Sequence, residues 1–146
     1  MRLETERRWL KVACAVTAAV GVGMAALSLP GAAGATTGLT DVLFAEGGDM
    51  TSPLSRLLTA IVGGVLAGWA VTMWMVVDRV HERDPASARA ILRPGLAVWF
   101  VVDSIGSVVS GGALNVVGNL GFVVLFGVPL VWAPRRRSAT PRAAAA

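Results

Sequence analysis

One acidic residue stands where an acid is costly. Asp103 interrupts an otherwise uncharged apolar run from Gly95 to Leu114. It lies about eight residues in, so roughly 12 Å deep at a rise of about 1.5 Å per residue. Inserting an ionisable side chain at helix centre costs about 2.5–3.5 kcal/mol, whereas each Leu, Ile, Val or Phe returns only about 0.3–0.6. The run offers Leu96, Val98, Phe100, Val101, Val102, Ile105, Val108, Val109 and Leu114. Together these return roughly 3–5 kcal/mol, barely more than Asp103 costs. Such a helix inserts well only if Asp103 turns towards other helices, where it is protonated or hydrogen-bonded.

The surroundings of Asp103 support an inward face. At helical spacing Trp99, Ser107 and Ser110 share its side, with Gly106 alongside. Asn115 and Asn119 stand one turn apart in the next run, Asn119 expected near the level of Ser107 or Ser110, and Phe122 and Phe126 continue that stripe. Two chemistries fit this polar seam. One is a protonatable site for a proton, a small substrate or a quinone-like head group, the usual use of an intramembrane acid. The other is helix glue, in which Asp and Asn side chains cross-link helices at about 0.6–2 kcal/mol per contact. There is no second carboxylate or base in the seam, so no proton relay can be drawn. Arg56 is the nearest conceivable counter-ion, but it sits at a span's rim, where it is expected to snorkel to water.

Other reactive residues are isolated. Cys14 is the chain's one cysteine, which excludes a CxxC redox centre and a disulfide scaffold. His81, the one histidine, lies among Asp78, Glu82 and Asp84 and reads as part of a solvated charge mixture, not a metal site. No P-loop, GxSxG, HExxH or zinc spacing occurs. No catalytic residue, metal or cofactor is expected from these patterns.

The elements that must position the seam are four apolar spans. Of 146 residues, 55% are hydrophobic and 15% charged, against roughly 25% charged in an average soluble domain. That excludes a disordered chain and argues against a soluble globule. The runs 12–29, 57–77, 95–114 and 116–133 are each long enough for a hydrocarbon core of about 30 Å. Alternation of the barrel-strand kind is absent, so each run is expected to be a helix. The expected fold is all-α: a polytopic membrane protein, one four-helix domain over 1–137, then a disordered tail over 138–146.

Charge placement gives an orientation. Arg2, Arg7, Arg8 and Lys11 precede the first span; Arg79, Arg83, Arg89 and Arg93 lie between the second and third; Arg135, Arg136, Arg137 and Arg142 follow the fourth. Only Arg56 falls on the other side. The positive-inside rule then puts both termini and the middle loop in the cytoplasm, in the inner (plasma) membrane. These clusters flank spans and carry no aromatic interleaving, so they read as topology signals and anionic-lipid contacts, not as a nucleic-acid surface. A rival reading takes the first span and Ala33-Gly34-Ala35 as a cleaved signal peptide. The 18-residue apolar region is longer than the usual 7–15, which favours an uncleaved helix.

Finer features follow. Thr51 or Ser52 before Pro53, and Asp84 before Pro85, read as helix N-caps. A kink is expected near Pro94. The run 39–44 could form a short amphipathic turn at the outer interface, or simply a solvated connector. Ala60, Gly64, Gly68 and Thr72 form a row of small residues at steps of four, suited to close packing inside the monomer or, as the alternative, against a second copy. Trp9 and Trp132 flank spans as interface anchors would.

In its four-span layout with a long first outer loop, and in Arg56 followed by Gly63-Gly64 at the start of the second span, the chain resembles the DoxX-like group of small bacterial membrane proteins. The segment Trp99-Phe100-Val101-Val102-Asp103-Ser104 with Asn115 and Asn119 downstream also resembles a signature of uncharacterised four-span proteins. The DoxX-like resemblance implies quinone-dependent oxidation or an accessory role in membrane complexes. No motif carries such an activity over residue by residue. The expected function is a non-enzymatic accessory or scaffold subunit, partnered by the lipid bilayer and by a homodimer or larger membrane complex. The alternatives are a proton-linked transporter or ligand binder using Asp103, and a quinone-linked oxidoreductase partner.

Overall fold

A computed structural model describes residues 2–32, 34, 35, 38, 41, 42, 49 and 51–132. Its order is α1 (Leu3–Leu27), a 3-10 turn (Pro30–Ala32), α2 (Pro53–Arg79), α3 (Pro85–Val109) and α4 (Asn115–Val131). Among the described residues there is no strand. The first three helices are long and apolar enough to cross a membrane; α4, at 17 residues, is apolar but shorter. Of the expected turn over 39–44 only Asp41 and Val42 are described, both helical and exposed. The signal-peptide site at Ala33 and the tail over 138–146 lie outside the described residues.

Local chemistry sets the helix starts. Ser52 caps α2 by accepting from the Ser55 N–H, with Pro53 at the first helical position. Asp84 caps α3 by accepting from the N–H groups of Ala86 and Ser87, with Pro85 in the same place. Each cap satisfies a donor that a helix start leaves open. Helix α3 runs through Pro94 without a break in its assignment. The α3–α4 connection turns at Gly111, whose φ of 81° lies in the left-handed region that favours glycine.

The four helices form a helical bundle of two antiparallel hairpins, α1–α2 and α3–α4. In the first hairpin the backbones touch. A Cβ added to Gly21 would fall 2.6 Å from the Ala67 nitrogen, and one added to Gly63 would collide with the Ala25 nitrogen. Close approach of this kind maximises dispersion contact where no hydrophobic force drives helices together. The row expected to make such a contact does not make it inside the monomer. Gly64 and Gly68 are exposed with open space around them, Thr72 is exposed, and Ala60 is half-buried. The close crossing is made one residue earlier, by Gly63 and Ala67, because rotation of α2 turns that stripe onto α1.

Hydrogen bonds close the ends of each hairpin. At the end where α1 begins, Arg7 donates to the Asp78 carboxylate (3.0 Å), to the Asp78 carbonyl (3.2 Å) and to Glu82 (3.0 Å), and Lys11 donates to Asp78. At the far end Arg56 donates to the Ser28 carbonyl at 2.7 Å, satisfying an acceptor at the close of α1. In the second hairpin Arg93 donates to the Leu130 carbonyl at the close of α4.

The hairpins meet over half their length. The core joins Leu10, Ala13 and Cys14 of α1, Met73 and Val77 of α2, Leu92 and Leu96 of α3, and Phe126 and Leu130 of α4. All lie towards the arginine-rich end. There Glu6, completely buried, receives two hydrogen bonds from Arg89: Nε to Oε1 at 2.8 Å and Nη2 to Oε2 at 2.6 Å. This is a forked, charge-assisted pair between α1 and α3. Beyond Leu96, by contrast, α3 buries no residue. We therefore expect Gly63→Val to lower stability by about 1–3 kcal/mol through forced separation of α1 and α2. Gly64→Ala and Gly68→Ala should stay within about 0.5 kcal/mol of the parent. Unfolding in mixed micelles distinguishes the two rows.

Candidate functional site

Helices α3 and α4 face each other in register. Moving from the arginine-rich end, Trp99 meets Phe122 edge-on with ring centroids 5.8 Å apart. One turn further Asp103 meets Asn119, and a turn beyond that Ser107 meets Asn115. Steps of four on α3 thus answer steps of three and four on α4, the spacing of one face on each helix. That spacing places Asp103, Ser107, Asn115 and Asn119 in a single strip.

Within the strip Asp103 is the hub. Its Oδ2 accepts from Asn119 Nδ2 at 2.6 Å and from Asn115 Nδ2 at 3.0 Å. Asn119 Nδ2 also reaches Ser104 Oγ at 3.3 Å, and Asn115 Nδ2 reaches Ser107 Oγ at 2.9 Å. Ser107 donates its own hydroxyl back to the Asp103 carbonyl at 2.7 Å. Asn119 is 4% exposed, while Asp103, Ser104, Ser107 and Asn115 are half-buried. Two amide donors on one carboxylate oxygen suit an acceptor-only group. Asp103 Oδ1 receives no hydrogen bond among the described residues.

The structure brings Asp103, Ser107, Asn115 and Asn119 together. Asn119 sits level with Asp103, a turn away from the expected level of Ser107 or Ser110. Ser110 is not part of the strip: it is exposed at the end of α3, where its N–H bonds to the Gly106 carbonyl. Trp99 shares the face but joins an aromatic cluster instead, with Trp69 at 5.7 Å. Trp69 in turn lies 6.3 Å from Phe126. The residues of similar depth on α1 and α2 turn elsewhere. Thr17 and Thr72 donate back to Ala13 and Gly68 in their own helices.

A second polar cluster was hidden from the sequence reading. His81 is not a solvated member of a charge mixture: it is 2% exposed, with Nε2 3.2 Å from Glu6 Oε1. The turn after α2 folds back onto α1 and carries the imidazole inside. Glu6 itself continues the buried stripe Leu10, Ala13, Cys14, Thr17 and Gly21 at helical spacing. A glutamate on that stripe was the available signal. Two buried donors of this end, Arg7 Nε and His81 Nε2, lack a hydrogen-bond partner among the described residues. No group of three His, Cys, Asp or Glu among the described residues is placed to hold a metal ion. Outside the spans, hydrogen bonds from Thr51, side chain first and then backbone, hold the exposed Asp49 carboxyl below the usual carboxylate range.

No protein-family model, no curated protein and no solved structure matches the chain. The DoxX-like likeness therefore rests on layout and the few residues quoted above. The class that the fold and the strip define is an all-helical protein with three helices long and apolar enough to cross a membrane, and with Asp103 held between α3 and α4.

Removing the buried amide should matter more than replacing the carboxyl group. Asn119→Leu is expected to cost about 1–2 kcal/mol of stability, at the upper end of measured intramembrane hydrogen bonds. Asp103→Asn, which keeps an acceptor oxygen in place, should cost less than about 1 kcal/mol. Denaturant titration of the purified chain in micelles, read by helicity, checks the order of the two variants.

Proposed function

We propose that this chain is a multi-pass protein of the inner membrane, with both termini and the turn between α2 and α3 in the cytoplasm, and that it acts as a non-catalytic accessory or scaffold subunit. The charge distribution supports the orientation, with twelve Lys and Arg on one side and Arg56 alone on the other. Arg7, Lys11, Arg89 and Arg93 all lie at the end of the bundle assigned to the cytoplasm. The observation that carries the scaffold reading is the double amide bond onto Asp103 Oδ2. It uses the intramembrane acid to fix α3 against α4, as polar glue does in lipid. A second reading, a proton-linked transporter or ligand binder, is favoured by one fact: the other oxygen of Asp103 is unbonded among the described residues and the side chain is half-buried.

The test pairs topology with assembly. Reporter fusions at Ala86 and Thr51 should report opposite sides of the membrane, Ala86 cytoplasmic. Solubilised gently from native membranes, the chain should migrate as part of a larger complex, and Asp103→Asn should leave that complex intact. A free monomer that alone moves protons across vesicles in an Asp103-dependent way would replace the scaffold reading with the second one.

A further inference from the structure

We propose that the half of the bundle away from the arginine-rich end holds a binding site for a monovalent organic cation, an ammonium or phosphonium with apolar arms, seated between the free oxygen of Asp103 and the ring of Trp99. The inference rests on the second reading above and names its ligand class.

Four observations carry it. The asparagine amides both bond to Oδ2, so Oδ1 of Asp103 takes no hydrogen bond among the described residues. No cationic side chain among the described residues pairs with this carboxylate, and Arg56, the one base on that side, is held by the Ser28 carbonyl. One helical turn towards the arginine-rich end, about 6 Å along the axis, lies an aromatic floor. Trp69 of α2, Trp99 of α3 and Phe122 of α4 are its half-buried members, with the buried Phe126 of α4 beside them. Above that floor α3 buries no residue, and Asp103, Ser104 and Ser107 of its layer are half-buried.

The chemistry then selects the ligand. An anion would meet a carboxylate with no basic partner. A metal ion would find no group of three His, Cys, Asp or Glu among the described residues. A cation with apolar substituents finds both of its needs: a counter-charge in a medium of low dielectric, and ring faces whose quadrupole attracts positive charge. The hydroxyls of Ser104 and Ser107 beside the carboxylate keep the layer polar without adding charge.

The experiment uses the full chain in nanodiscs of neutral lipid, with tetraphenylphosphonium as probe. Binding is read by equilibrium dialysis against empty nanodiscs and by tryptophan fluorescence. Saturable binding is expected, weakened tenfold or more in Asp103→Asn and kept within about threefold in Asp103→Glu. Trp99→Leu should weaken it roughly threefold to tenfold, and Trp99→Phe should restore part of that loss. Because Trp99 lies off the clamp, its variants keep the test informative should Asp103→Asn fold poorly. Equal affinity in the parent and Asp103→Asn, or no saturable binding above empty nanodiscs, would overturn the proposal. If the probe fails to bind while Asp103-dependent proton uptake is still measured with a pH dye, the organic-cation site falls and the second reading survives. If both fail, both fall.

Discussion

The bundle depends on one buried ion pair. Glu6 is fully enclosed and both of its oxygens are taken by Arg89. It is the one charged link between the α1–α2 hairpin and the α3–α4 hairpin among the described residues. Desolvating two charges is expensive, and only good geometry with satisfied oxygens offsets it. The forked guanidinium supplies that geometry. Losing Arg89 would strand the enclosed Glu6 carboxylate away from water, and breaking a buried pair in this way typically costs about 3–5 kcal/mol. The apolar core from Leu10 to Leu130 packs next to this pair and nowhere further out, so charge and packing reinforce each other at one end.

From that anchor the rest follows as a division of labour. Each hairpin is internally complete: backbone contact at Gly21 and Gly63 in one, the Asp103 strip in the other, and arginines bonded to helix-end carbonyls in both. Completeness within hairpins leaves little to bind them to each other away from the Glu6–Arg89 end. The aromatic cluster around Trp69 and Trp99 adds a contact between them next to that core. Beyond it Asp103 keeps one oxygen uncommitted. The same arrangement that makes the acid a clamp within its hairpin leaves it able to meet something outside it.

How much of this could be read from the residues depended on which ones announce their environment in lipid. Asp103 did, because an acid in an apolar run has to turn inward, and Asn115 and Asn119 were at the right spacing to meet it. Ser52-Pro53 and Asp84-Pro85 marked helix starts because capping is local chemistry. Rotation was not legible. In water an apolar stripe points to the core, but lipid and protein interior are equally apolar, so the row Ala60, Gly64, Gly68 and Thr72 looked as suitable for packing as Gly63 and Ala67. Only the structure shows which of these faces α1. Glu6 and His81 were missed for the opposite reason. They sit in charged stretches where solvation is the ordinary expectation, and folding of the turn after α2 against α1 is what removes them from water.

The central claim is that the hairpins are joined at one end by Glu6 and Arg89 and are free of each other at the other. Spin-label distance measurement in bilayers tests this directly, with label pairs at Arg8 and Ala90 and at Leu58 and Val108, all exposed positions. The account predicts a narrow distance distribution for the first pair, a broad one for the second, and broadening of the first alone in Glu6→Gln. Equal widths at both ends, or a first distribution indifferent to Glu6→Gln, would contradict it.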